Sequence, residues 1–247
     1  MTQLSDAELA AQMAVAAGKI LKEVRVSSLI TGKPLGKAGD VTANAFLMQA
    51  IAAQRPDDGV LSEESADDKS RLNMSRVWII DPVDGTREYG EERADWAVHV
   101  GLAVDGVATV GAVALPGMDI VLRSDCPPEL KSLNNPPKML VSRTRPAAEA
   151  VAVAEKIGAD LLPMGSAGAK AMAVVRGEAD IYLHTGGQYE WDSCAPVAVA
   201  EAAGLHVTRV DGTPMRYNQE DTYLPDLLIC RKELADDVRA AIDSLAT

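Results

Sequence analysis

Aromatic residues are scarce in this chain of 247. One Phe, three Trp and five Tyr leave most of the packing to alanine and valine. Basic residues are in short supply too: Lys+Arg number 24 against 36 for Asp+Glu, a formal net charge of −12. That balance argues against a nucleic-acid or anionic-membrane surface. It leaves room for a phosphorylated ligand, because a bound dication reverses the local sign. No apolar run approaches the ~18 residues of a membrane span. The opening MTQLSDAELA has neither the basic flank nor the apolar core of a signal peptide. Cys126, Cys194 and Cys230 have no metal or redox spacing; scattered thiols in odd number fit a reducing cytoplasm and are read as structural. What is present, 47% hydrophobic and 24% charged residues, is the composition of a soluble globular protein. The length allows one large or two modest cores.

The most informative stretch is Arg76–Tyr89, RVWIIDPVDGTREY. Val77, Trp78, Ile79 and Ile80 read as a buried strand. Asp81 and Asp84 follow, and Pro82 between them, unable to donate to a ladder, is expected to end the strand. Gly85 permits an unusual backbone and leaves room for a ligand to reach the main chain. Thr86 is placed as the N-cap of a short helical turn, with Glu88 in its first turn. Two carboxylates at a strand end, beside free N–H groups, ask for a cation and an anion together. Their all-oxygen character suits Mg²⁺, which shares phosphate oxygens with a substrate. The bland reading is an acidic turn, since Asp, Pro and Gly are turn residues.

Taken in order, Asp6–Val26 is an amphipathic helix capped by Ser5 or Asp6, Thr31–Asp40 a loop rich in Gly and Lys, and Val41–Gln54 a second helix. Val60–Ser65 is a strand ending in Glu63 and Glu64. Trp96–Val104, Val107–Leu115 and Asp119–Arg123 are antiparallel strands, the first two joined by a turn at Asp105-Gly106. His99 within the first is taken as a core or cross-strand residue. Asn134–Pro137 is the linker candidate, dividing an N-terminal unit (1–133) from a C-terminal one (134–247). Beyond it strands at Met139–Ser142, Leu161–Met164, Asp180–His184, His206–Val210 and Leu227–Cys230 alternate with helices. Those helices are expected at Pro146–Ile157, from GSAGAK to Arg176, at Asp192–Ala203 and at Glu233–Leu245. The pattern is α/β.

WIIDPVDGT resembles the signature of the inositol monophosphatase family, lithium-sensitive Mg²⁺-dependent phosphomonoesterases. The resemblance implies that Asp81 and Asp84 bind metal, that Val83 lends a carbonyl and that Thr86 orients the attacking water. It also implies a metal role for the Glu63-Glu64 pair, Glu63 first. Glu190-Trp191-Asp192 with the run that follows resembles the family's second signature, whose aspartate, here Asp192, completes the site; without the resemblance, helix capping is the favoured reading of Asp192. GSAGAK (Gly165–Lys170) and SRTR (Ser142–Arg145) resemble the segments that contact substrate in the nucleotidase branch, which points to Ser166, Lys170, Arg143 and Arg145. The water-orienting acid maps onto Asp40, and Asn44 stands where the family often has Asp.

The fold so implied is a layered α-β-α-β-α sandwich. The implied chemistry is in-line attack of a water oriented by Thr86 with Asp40 or Glu63, two or more Mg²⁺ ions being held by Glu63, Glu64, Asp81, Val83, Asp84 and Asp192. Gly85, Thr86, Arg143, Ser166, Lys170 and Asp192 would face the substrate. A 3′-phosphoadenosine 5′-phosphate nucleotidase leads. An inositol or sugar phosphatase is the rival of the same chemistry, and a non-catalytic Mg²⁺ and phosphate binder the rival of another class. The partners implied are a small phosphorylated nucleotide and a second copy in a homodimer, with no nucleic acid and no membrane.

Overall fold

The computed structural model describes residues 4–245. Helix α1 (Asp6–Val26) begins at a reciprocal cap: the Glu8 N–H donates to Ser5 Oγ and the Ser5 N–H to the Glu8 carboxylate. Helix α2 (Gly32–Gln54) packs against it. The loop expected over Thr31–Asp40 is therefore helix from Gly32 onward. Leu35, Gly39, Ala43, Leu47 and Ile51 recur every four residues as one buried stripe. Pro34 lies in the first turn, where a missing N–H loses no bond. Gly36 and Gly39 are close-approach positions: a Cβ on either would stand 2.7 Å from Thr86 Cγ2 or from the Tyr89 ring.

Strand β1 (Gly59–Ser62) pairs in parallel with β2 (Arg76–Asp84). The ladder does not stop at Pro82. β2 stays paired to β3 (Ala97–Val104) as far as Asp84↔Ala97, with a register shift after Asp81↔His99. The extra residue is taken up as a bulge, the place in a strand where a proline is tolerated. Val77 and Ile79 enter one core, Trp78 and Ile80 another, and burial on both faces explains the unbroken apolar run. The short helix α3 (Thr86–Gly90) is capped by Gly85 and not by Thr86, because the cap has φ +85°, a left-handed conformation that costs glycine nothing. Strand β4 (Val107–Leu115) and β5 (Ile120–Arg123) complete the order β1-β2-β3-β4-β5.

After the coil of residues 124–137 come β6 (Lys138–Ser142), α4 (Ala148–Ile157), β7 (Asp160–Met164), α5 (Ala167–Val175) and β8 (Ile181–His184). The two-residue β9 (Gln188–Tyr189), α6 (Glu190–Ala202), β10 (His206–Thr208), the two-residue β11 (Tyr223–Leu224), β12 (Leu227–Cys230) and α7 (Ala235–Asp243) follow. The second large sheet has the order β10-β12-β8-β6-β7. Helices α1 and α2 cover the outer face of the first sheet, α5 and α6 fill the space between the sheets, and α4 and α7 cover the outer face of the second. This is the expected α-β-α-β-α sandwich. Helix α6 lies close on β3 and β4 where Gly101 faces Gly111; a Cβ on Gly111 would fall 2.3 Å from the Ala195 carbonyl oxygen. Among the described residues no helix is long and apolar enough to cross a membrane.

Candidate active site

Asp81 and Asp84 come from the bulged end of β2, and Asp192 from the first turn of α6. Each offers an oxygen within 4.8 Å of the others. Asp81 and Asp84 are buried. Glu63, in the turn after β1, is exposed at the rim, yet its carboxyl group reaches toward that of Asp81. Asp192 Oδ2 accepts the Tyr189 N–H at 2.7 Å, so Asp192 ties down the helix start from inside the first turn while facing the other acids.

Crowding sets the electrostatics. Burial, then the charges of Glu63, Asp84 and Asp192, pushes Asp81 well above the usual carboxylate range. Burial, then Asp84, raises Asp192 to about 6. Desolvation on the cleft side, then Asp192, raises Glu63 to about 7; its exposed edge argues for a smaller rise than at fully enclosed Asp81. Asp84 goes the other way. Burial would raise it, but His99, the Ser166 hydroxyl and the Gly168 N–H outweigh that and hold it at about 2. The Ser166 hydroxyl donates to Asp84 Oδ2, as does the Gly168 N–H at 2.6 Å, and the Ala167 N–H donates to Oδ1 at 3.0 Å. A set of oxygen donors with this much uncompensated negative charge fits a hard divalent cation.

Thr86 Oγ1 lies 3.1 Å from the Val83 carbonyl and 3.3 Å from Asp40 Oδ1, and its single proton serves one of them at a time. Burial, then Glu64, raises Asp40 to about 7 against the opposing Thr86 contact. Beside this pair, Arg87, Ser142, Arg143, Arg145, Ser166 and Lys170 line a cavity of about 490 Å³. Three of the expected substrate residues are already engaged there. Arg143 donates to Glu88 at 2.8 Å and Glu91 at 2.9 Å. Ser166 caps α5, accepting the Ala169 N–H at 2.9 Å. Lys170 Nζ is buried and donates to the Ser166 carbonyl at 2.6 Å.

A model of the inositol monophosphatase family matches residues 3–244. The chain belongs to that family. A 3′-phosphoadenosine 5′-phosphate phosphatase of Mycobacterium leprae is 48% identical, over 94% of this chain and 92% of its own. The 3′(2′),5′-bisphosphate nucleotidase CysQ of Escherichia coli K12 is 28% identical over 76% and 81%. Among solved structures, CysQ of Bacteroides thetaiotaomicron superposes with a TM-score of 0.76 at 23% identity, covering 94% of this chain and 98% of that one.

In this member of the inositol monophosphatase family, residues outside the two signatures also shape the site. His99 is wholly buried in β3, as expected of a core residue, but it also faces Asp84. Its Nε2 stands 3.1 Å from Oδ2, off the line of a straight hydrogen bond, and its Nδ1 is 3.0 Å from the Trp191 carbonyl. Burial would lower its pKa; Asp84 outweighs that and raises it. The only signal in the sequence was a lone histidine in an apolar strand. Asn44 accepts from Ser62 Oγ at 2.7 Å and donates to Ser65 Oγ at 3.1 Å, so it clasps the turn carrying Glu63 and Glu64 on both sides. Glu88, noted only as a first-turn acid of α3, is a buried carboxylate on the cavity wall.

Proposed function

We propose that this chain is a Mg²⁺-dependent phosphomonoesterase that removes the 3′-phosphate of 3′-phosphoadenosine 5′-phosphate, and of its 5′-phosphosulfate form. The observation that carries the reading is the meeting of Asp81, Asp84 and Asp192 within 4.8 Å beside a cavity lined by arginines and a lysine. The names of the relatives from Mycobacterium leprae and Escherichia coli support the substrate. Glu63, Asp81, the Val83 carbonyl, Asp84 and Asp192 would hold the metal, with Glu64 beside them. Bound ions would supply Lewis acidity at the phosphate and its leaving oxygen.

The chain's own groups do the rest. The Thr86 hydroxyl, donating to Asp40 or Val83, keeps its lone pairs free to accept a hydrogen bond from a water and so aim that water's oxygen at phosphorus. Asp40, or Glu63 at the rim, receives the proton that the water gives up. Asp84, fixed by three donors from the start of α5, contributes a constant negative charge. The cations of the cavity favour a substrate with a second anionic group, which inositol monophosphate lacks.

A phosphate-release screen over a dozen phosphomonoesters, with Mg²⁺ and with chelator, tests this. The bisphosphate should be the preferred substrate and chelation should abolish activity. Asp84→Asn should lower turnover by about a hundredfold or more in a folded protein, as loss of a transition-state charge contact does. Full activity after exhaustive chelation would refute metal dependence, and a preference for inositol phosphate would move the substrate to the rival class.

A further inference from the structure

The cavity beside Asp84 carries four cations that a sequence cannot rank: Arg87, Arg143, Arg145 and Lys170. Their contacts rank them. Arg143 bridges Glu88 and Glu91 across the gap between α3 and the end of β6. Drawing it toward a ligand would leave the buried Glu88 carboxylate uncompensated, and stripping the partner from a buried charge is costly. Lys170 is packed below the surface, its Nζ donating to main-chain carbonyls and lying 5.2 Å from the centre of the Tyr182 ring. Arg87 is exposed but shares Glu91, through a 2.8 Å contact. Arg145 alone among these has no ion pair and no side-chain hydrogen bond among the described residues. It is exposed on the cavity wall, and its main chain is fixed by an N–H donated to Ser142 Oγ at 3.3 Å and by Pro146 after it.

We propose that Arg145 is the specificity-determining residue that grips the substrate's second anionic group, with Arg143 a strut that joins α3 to β6 and touches no substrate. The inference deepens the bisphosphate reading and rests on it. Ser166 lines the cavity and donates its hydroxyl to Asp84, so an anion held at Arg145 shares a wall with the acidic cluster. An unpaired guanidinium can present two parallel N–H groups to a phosphate or a phosphosulfate, which a lysine cannot.

The test compares two substrates that differ only in the second group, 3′-phosphoadenosine 5′-phosphate and adenosine 3′-phosphate. Arg145→Ala should lower kcat/KM for the bisphosphate roughly ten- to a hundredfold, the usual loss of one charged contact, and leave the monophosphate within about twofold. Arg145→Lys should fall between. Arg143→Ala should lower both substrates together and lower the unfolding temperature. Equal losses on both substrates for Arg145→Ala, or none on the bisphosphate, would overturn the assignment while leaving the bisphosphate reading intact. A wild-type enzyme that does not favour the bisphosphate over the monophosphate would overturn both.

Discussion

At Gly168 the N–H donates to Asp84 Oδ2 at 2.6 Å, and the absent side chain leaves room for the His99 ring. A Cβ there would stand 1.9 Å from His99 Nε2 and 3.0 Å from Asp84 Oδ2. Alanine is the better helix former by ~1 kcal/mol, but forcing atoms into a packed site costs about 1–3 kcal/mol. Gly168→Ala should therefore leave the fold only slightly less stable, by about 1 kcal/mol. Its turnover should fall at least roughly tenfold, because the imidazole must leave its contact with Asp84. Urea unfolding and kcat measured on the same preparation check this. Normal turnover would mean that the ring moves aside without consequence for the carboxylate. The glycine reads in sequence as a helix-start residue; the clash that requires it involves a strand some seventy positions earlier.

Between elements, the outer end of the first layer is held by a chain of ion pairs. Asp6 at the start of α1 accepts from Arg55 at 2.8 Å, just beyond α2, and from Arg76 at 3.0 Å, at the start of β2. Arg76 also donates to Asp58, which accepts the Trp78 indole N–H at 2.9 Å. Burial alone would raise the Asp6 carboxyl, but hydrogen bonds from Arg55 and Arg76 outweigh it and hold it below the usual carboxylate range. A depressed folded pKa means stability that is present above the unfolded value of 3.8 and is lost as pH falls through the lower folded one. Asp6→Asn should thus cost about 0.5–1 kcal/mol at pH 7, modest because the pair is partly exposed. The difference from wild type should persist to about pH 4 and shrink below it. Urea titrations across that range decide it; a difference that grows in acid would contradict the assignment.

For the whole molecule, the acidic cluster joins the first sheet to α6, one of the helices between the sheets, since Asp81 and Asp84 end β2 and Asp192 starts α6. A divalent cation held there binds the folded chain and has no such site in the unfolded one. At a hundred times its dissociation constant it should add ~2.7 kcal/mol, a rise of roughly 5–10 °C in Tm for a chain of this size. Calorimetry with Mg²⁺ against chelator, repeated on Asp84→Asn, measures it. A Tm that ignores Mg²⁺ in wild type would mean that the three aspartates do not hold the ion in the folded state.

The strands of the first sheet and the two acids at the end of β2 follow from local order, an apolar run buried on both faces, and the layered fold from the resemblance that a pair of signatures carries. Such features depend on neighbours in the chain, so a sequence carries them. The helical start of α2 does not, because Gly36 and Gly39 look like breakers until Thr86 and Tyr89 are seen against them. Pro82 likewise ends a strand by rule, and only pairing with β3 shows that a bulge absorbs it. His99, Asn44 and the sorting of Arg143 from Arg145 belong to the same class. Each is decided by a partner tens of residues away, and by how much room and charge that partner leaves, which tertiary packing alone sets.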